Sequence, residues 1–211
     1  MVGSAIFLDR DGVLIADEGP LCQAENIRVL PGVVEALSLL KDEGHRLFVV
    51  TNQTVVSRGL LTEREMLELQ HQIEVQIATG TDSPLDGFYY CPHHPSATDE
   101  RYRQSCRCRK PAPGLLERAA EQHGLDLKSS WMIGDRPSDI GAGHAAGCRT
   151  IQVRCGRHED APIEVLGGFT PPSPHLICED LLEAAKWIAD ARAQRQSRVP
   201  EGARRSSEGH P

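Results

Sequence analysis

The chain is 211 residues long, enough for one sizeable core and short for two, with 39% hydrophobic and 25% charged residues and a formal net charge of -7. These proportions are ordinary for a globular protein, and the acidity gives no general attraction to nucleic acid or to an anionic membrane. No apolar run approaches the roughly 18 residues that a membrane span needs, and MVGSAIFLDRDG lacks the basic, apolar and small-residue order of a secretory signal, so a cytoplasmic location is expected.

Short β-rich runs alternate with longer helical patterns. A strand is predicted at AIFL (5–8), a helix over about 32–43, a strand at LFVV (47–50) and a helix over about 62–79. That second helix is opened by TERE, in which Thr62 can cap and Glu65 can reach back. FYY (88–90) predicts a strand leading into a polar loop, followed by a helix over 112–123, a strand at WMI (131–133), a helix over 138–146 and a strand at TIQV (150–153). PIEVLGGFTPPSP (162–174) reads as a loop, HLI (175–177) as a strand and 180–193 as the last helix. From Gln194 on, apolar content almost vanishes and a disordered tail is expected, which leaves one domain over residues 1–193. Strands alternating with helices in this way predict an α/β fold, a doubly wound parallel sheet, and no internal repeat is visible.

In open parallel sheets the binding crevice lies beyond the carboxyl ends of the strands. Here AIFL runs into DRDG, LFVV into TNQ and WMIG into DRPSD, so Asp9, Asp11, Thr51, Asp135 and Asp139 are expected to converge on one rim. Asp9 and Asp11 are two apart and would share a side of an extended chain. Carboxylates crowded together repel one another and any phosphate, so such a rim calls for a divalent cation, and hard oxygen ligands favour Mg²⁺. The chemistry that fits is phosphoryl transfer. Asp9 attacks phosphorus to give an aspartyl-phosphate, while Asp11 donates a proton to the leaving oxygen and then takes one from water. The Thr51 hydroxyl would hold phosphoryl oxygens and Lys110 would offset charge on the group in transfer. DRDGVLIADEGP does not place ligands as an EF-hand does.

Seven cysteines is an odd number, and in a reducing compartment a tight Cys/His cluster is metal-binding or catalytic rather than part of a disulfide framework. Cys22, Cys148, Cys155 and Cys178 stand alone and are expected to be buried small apolar residues. The stretch CPHHPSATDERYRQSCRCRKP (91–111) instead gathers three cysteines and two histidines around a polar loop, a spacing that suggests a metal clamp in which either His93 or His94 could serve.

With DRDGV, VVTNQ, RKP and GDRPSD in this order over roughly residues 4–190, the chain resembles the haloacid dehalogenase superfamily of Mg²⁺-dependent phosphatases. More narrowly, it is similar to the D-glycero-D-manno-heptose 1,7-bisphosphate 7-phosphatases, and the histidinol-phosphate phosphatases share most of these motifs. The resemblance implies a Rossmann-like fold without a large cap domain. It implies Asp9 as nucleophile, Asp11 as general acid/base, Thr51 as the phosphate-holding hydroxyl and Lys110 as the stabilising lysine. Asp9, the backbone carbonyl of Asp11 and Asp135 match the Mg²⁺ ligands, and Asp139 matches the acidic residue that orients its neighbours. Arg109 falls where the heptose enzymes use an arginine for substrate recognition, Asn52 falls in the phosphate-proximal loop, and Arg136 replaces a frequent lysine. Cys91, His93, Cys106 and Cys108 match the family's zinc loop, a closed structural site, and family position favours His93 over His94. The stapled loop would form one wall of the substrate pocket.

Departures from the pattern are Val13 where Thr is common, Val55 and Val56 where Gly-Ile is frequent, and Pro20 where an aromatic residue is frequent. The last two segments are expected near the substrate. The resemblance implies a small phosphorylated sugar as substrate, with Mg²⁺ and Zn²⁺ as cofactors, and the chain is expected to be a monomer with no nucleic-acid or membrane partner. The competing readings are a histidinol-phosphate phosphatase and, from another class, a zinc-bearing nucleic-acid binding module.

Overall fold

Ile6 and Leu8 leave strand β1 (Ala5–Leu8) on one face, Ala5 and Phe7 leave it on the other, and all four are fully buried. A strand that is apolar on both sides must be covered on both sides, which forces helices onto each face of the sheet. On the first face Ile6, Leu8, Leu47, Val49, Ile133 and Ile151 pack against helices α1 (Val33–Asp42), α3 (Glu63–Ile77) and α6 (Leu181–Ser197). On the second, Phe7, Phe48, Val50, Tyr89 and Met132 meet α4 (Gly114–His123) and α5 (Pro137–Ala146). Each large aliphatic side chain taken out of water in this way contributes about 1.5–3 kcal/mol against chain entropy.

The computed structural model describes residues 3–78, 84–156, 170 and 172–197, with side chains as far as residue 192. Six strands form one sheet in the order β3-β2-β1-β4-β5-β6. The other five are β2 (Arg46–Asn52), β3 (Gly87–Cys91), β4 (Trp131–Gly134), β5 (Arg149–Val153) and β6 (Leu176–Cys178). Every pairing is parallel, with Leu8 opposite Val49 on one side of β1 and opposite Ile133 on the other. The chain winds outward from β1 through β2 to β3, then returns to place β4 against the opposite edge of β1. The carboxyl end of β1 is therefore a topological switch point, where the connections part and leave a crevice.

The doubly wound parallel sheet is as expected, and every expected strand is present. The capping box of α3 also forms, with Thr62 Oγ1 accepting from Glu65 N at 3.2 Å and Glu65 Oε2 accepting from Thr62 N at 2.8 Å. Four readings need correction. Helix α6 continues to Ser197, four residues past its expected end, and residues 198–211 lie outside the described residues. The last strand starts at Leu176, because His175 turns its Nδ1 toward Thr150 N at 3.1 Å. A one-turn helix, α2 (Thr54–Ser57), was not expected, being too short for any helical period to register. Of the lone cysteines, Cys148 and Cys178 are buried, whereas Cys22 and Cys155 are only partly so. Most of the expected 162–174 loop lies outside the described residues.

Candidate active site

Asp9 is the first residue beyond β1 and extends its pairing with β4, since its N–H donates to Ile133 O at 3.0 Å. Asp135 is likewise the first residue beyond β4, and Asp139 lies one turn on, in the first turn of α5. Carboxylate oxygens of Asp9, Asp135 and Asp139 lie within 4.8 Å of one another, and all three residues are buried. Lys110 Nζ enters the same centre, 2.9 Å from Asp9 Oδ1, 2.6 Å from Asp139 Oδ1 and 2.8 Å from Val50 O, to which it donates. Arg136 Nε stands farther off, 3.8 Å from Asp135 Oδ2. The expected rim is thus a buried floor, with three acids set against one close lysine.

Electrostatics follow from that imbalance. Burial pushes the Asp9 carboxyl up to about 6, with Asp139 and Asp11 adding repulsion against the pull of Lys110. Burial together with Asp139 and Asp9 pushes Asp135 up to about 8. For Lys110 burial acts downward, but Asp139 and Asp9 outweigh it and hold its pKa above the usual lysine value. Two glycines make the crowding feasible. A Cβ on Gly134 would fall 2.2 Å from Asp139 Cβ, and one on Gly12, whose φ is +82°, would fall 2.6 Å from Asp135 Oδ2.

Asp139 is committed to its neighbours, because its second oxygen accepts from Arg136 N at 3.0 Å while its first faces Lys110. Those contacts occupy it and leave Asp9 and Asp135 as the acids best placed for a cation. A dense set of hard oxygens with excess negative charge suits Mg²⁺.

Asp11 and Thr51 come together at the mouth of this centre through Gln53, whose Nε2 donates to Asp11 Oδ2 at 2.8 Å and to Thr51 Oγ1 at 2.9 Å. Asn52 is tied reciprocally to the Lys110 backbone: its Oδ1 accepts from Lys110 N and its Nδ2 donates to Lys110 O, both at 3.1 Å. These bonds sew the end of β2 to the chain segment that carries the lysine.

Asp9, Asp11, Thr51, Asn52, Arg109, Lys110 and Arg136 line a single cleft of about 690 Å³. Arg109, Arg58 and His94 line the same cleft, and among the described residues no ion pair of Arg58 or Arg109 with a carboxylate is found. Burial, with Arg58 adding to it, holds the Arg109 guanidinium below its usual pKa, and burial with Arg109 and Arg58 lowers that of His94. Arg136 is instead paired with Asp17. Of the family departures, Val55 and Pro20 line the cleft, whereas Val56 packs with Val55 and Met66 in a small apolar cluster rather than toward the substrate side.

The Cys/His loop closes on itself beside the cleft. The Sγ atoms of Cys91, Cys106 and Cys108 are 3.1–3.5 Å apart, and His93 Nδ1 lies 3.3 Å from Cys108 Sγ and 3.7 Å from Cys91 Sγ. A tetrahedral ion with Zn–S near 2.3 Å has S–S edges of roughly 3.8 Å, so the thiols stand a few tenths of an ångström closer than a bound ion would set them, while three sulfurs and one imidazole nitrogen around one centre are the donor set that suits zinc. His94 is not part of the group, its Nδ1 accepting from Ser96 N at 3.1 Å.

Comparison with known proteins agrees with this layout. A family model described as haloacid dehalogenase-like hydrolase matches residues 6–81, and a second, HAD-hydrolase-like model matches residues 107–184. The chain is 43% identical over 186 residues to a D-glycero-beta-D-manno-heptose-1,7-bisphosphate 7-phosphatase of Photorhabdus laumondii, covering 87% of this chain and 94% of that one. The chain belongs to the haloacid dehalogenase-like hydrolases. The protein of the same name from Escherichia coli K12 is 42% identical over 154 residues, 72% of this chain and 80% of its own. Among solved structures, a D,D-heptose 1,7-bisphosphate phosphatase of B. bronchiseptica, complexed with magnesium and phosphate, superposes with a TM-score of 0.74 at 26% identity, covering 89% of this chain and 99% of the other.

Four residues of this haloacid dehalogenase-like hydrolase escaped the sequence reading, one of them Arg58 in the cleft lining. Arg10 and Gln53 are both 2% exposed and sit between Asp11 and Thr51, and Asp17 holds Arg136. Arg10 and Gln53 stand inside the quoted DRDG and TNQ strings, so their position beside the motif residues was the available signal.

Proposed function

We propose that this chain is a Mg²⁺-dependent phosphatase that removes the C7 phosphate of a heptose 1,7-bisphosphate through an aspartyl-phosphate on Asp9. The observation that carries this reading is the charge layout of one cleft: buried Asp9 and Lys110 in its lining, and beside them Arg58 and Arg109, which among the described residues form no ion pair with a carboxylate. A substrate with a phosphate at each end matches both halves. The names of the relatives point to the same substrate class.

Asp9 attacks phosphorus, and Asp11 gives its proton to the departing sugar oxygen. Water then attacks the phosphoryl group, its proton passes to Asp11, and the Asp9–phosphorus bond breaks. Thr51 Oγ1 accepts from Gln53, so its own hydroxyl proton is available to a phosphoryl oxygen. Lys110 offsets charge on the transferring group. Asp9 and Asp135 would hold Mg²⁺, which when bound neutralises phosphate and carboxylate charge in the same place. Cys91, His93, Cys106 and Cys108 would hold a structural Zn²⁺ that fixes where Arg109 and Lys110 point.

The active unit is a monomeric domain that runs to the end of α6 at Ser197 rather than to residue 193, acting without nucleic acid. Among the described residues no helix is long and apolar enough to cross a membrane.

The deciding experiment is phosphate release from heptose 1,7-bisphosphate, heptose 7-phosphate and histidinol phosphate, with Mg²⁺ and with a chelator. The bisphosphate should be preferred and the chelator should stop turnover. Preference for histidinol phosphate, or binding of nucleic acid at moderate salt with no turnover, would replace the reading.

The buried acids also set a pH dependence. In the unfolded chain Asp9 and Asp135 titrate near 3.8, and in the fold near 6 and 8, so the metal-free fold holds extra protons between those values. Their stabilising protonation is complete below the unfolded value and is lost as pH rises through the folded ones. His45 works the other way, its burial lowering it to about 4 from 6.5, so its effect is confined to pH below 6.5. Thermal melts in chelator should therefore show Tm falling from pH 6.5 to about pH 9, and saturating Mg²⁺ should flatten that slope. A flat metal-free profile would contradict the placement of these acids.

A further inference from the structure

We propose that Arg10 and Gln53 act together as a positioning clamp on Asp11, fixing the direction in which the general acid/base passes its proton; this rests on the phosphatase reading above. Arg10 is among the largest fully buried side chains, and a buried guanidinium is costly unless paired and hydrogen-bonded. It is spent on one carboxylate, the one that the reaction needs oriented. Arg10 Nε and Nη2 donate to Asp11 Oδ1 at 3.2 and 2.9 Å, and Nη2 donates to Asp11 Oδ2 at 3.0 Å.

Gln53 completes the frame. Its Oε1 accepts from Arg10 Nη2 at 2.9 Å, which fixes the amide orientation, since a guanidinium can only donate. The amide Nε2 is thereby turned to Asp11 Oδ2 and Thr51 Oγ1, so one side chain sets both the proton donor and the phosphate-holding hydroxyl. The backbone of Gln53 is anchored in turn, its N–H donating to Cys91 O at 2.8 Å. With four donor contacts on two oxygens, the Asp11 carboxylate is confined to one rotamer while its side chain stays 23% exposed toward the cleft. A purely structural pair would have no reason to meet an acid that faces the substrate side.

The clamp predicts a dependence on the leaving group. A sugar alkoxide leaves only if Asp11 delivers a proton to its oxygen as the P–O bond breaks, whereas p-nitrophenolate leaves unprotonated. Single-turnover rates of phosphoenzyme formation are to be measured for heptose 1,7-bisphosphate and p-nitrophenyl phosphate with the wild-type chain, Gln53→Met and Gln53→Glu. Methionine matches glutamine in length but cannot donate, and glutamate keeps the acceptor for Arg10 while removing the donor to Asp11. Either variant should slow transfer from the sugar at least about 10-fold more than transfer from p-nitrophenyl phosphate, within the range general acid catalysis supplies, the smaller loss common to both substrates reading the Thr51 contact. Should one variant fail to fold, the other carries the same comparison. Equal slowing of both substrates, or no slowing of either, overturns the clamp while leaving the phosphatase reading intact. A wild-type chain that releases phosphate from neither overturns both.

Discussion

Replacing Asp9 with Asn should abolish turnover, by about 10⁴-fold or more, while leaving the fold at least as stable. An amide cannot form the phosphoryl-enzyme, and loss of a nucleophile costs far more than loss of a binding contact. A factor of 10⁴ corresponds to about 5 kcal/mol in the barrier. The stability half of the expectation comes from the charge count. Asp9, Asp135 and Asp139 are buried together with one close lysine, and the Asp9 carboxyl is already pushed up to about 6 by burial and by its acidic neighbours. An asparagine there removes one repelling charge, and its Oδ1 can still accept from Lys110. In chelator the variant should melt at or above the wild-type temperature, and with Mg²⁺ that margin should shrink, because the cation loses a ligand. Steady-state phosphate release and paired melts measure both. Residual activity within about 100-fold of wild type would remove Asp9 from the role of nucleophile.

The second large effect is expected from Cys106→Ser. A hydroxyl is a poor substitute for a thiolate on zinc, and three remaining protein ligands leave an open position in place of a closed site. Bound zinc should fall below stoichiometric, Tm should drop, and KM for the bisphosphate should rise about 10-fold or more with a smaller change in kcat. The split between the two constants follows from how the two cations after the loop are held. Arg109 depends on it directly, its Nη1 donating to His93 O at 3.2 Å. Lys110 has its own tether in the paired bonds from Asn52 and its own ion pairs with Asp9 and Asp139. Losing the staple therefore frees Arg109 before it frees Lys110. Metal analysis of the purified wild-type chain comes first, since a zinc-free protein with full activity would end this account of the loop.

The parts of the site that were legible in the sequence are those written into single strand ends. Asp9 and Asp135 each follow an apolar strand by one residue, and a doubly wound sheet brings such ends to one crevice whatever its side chains do elsewhere. The choice between His93 and His94 also had a local rule behind it. Alternate residues of an extended chain face the same side, so Cys91 shares its direction with His93, as Cys106 does with Cys108, while His94 is turned to the cleft.

What stayed hidden depends on register between strands. Gln53 reaches Asp11 only because β1 and β2 pair with Leu8 opposite Val49, and Arg136 reaches Asp17 across most of the chain length. Neither distance is encoded in local spacing. The same limit explains Val56: the one-turn helix α2 packs it beside Val55 and Met66 instead of along the cleft, and no periodicity announces a helix that short.

The Cys/His cluster pins the loop at both of its ends, and the Asn52 bonds pin the residues that follow it. Between those fastenings lie twelve residues, 94–105, that touch the cleft through His94, Pro95 and Ser105. The exposed positions of this insert are thereby separated from the acids and the lysine fastened on either side, whereas Ala97 is buried and Tyr102 donates to Glu63 Oε1 at 2.8 Å, so those two tie the insert to the fold.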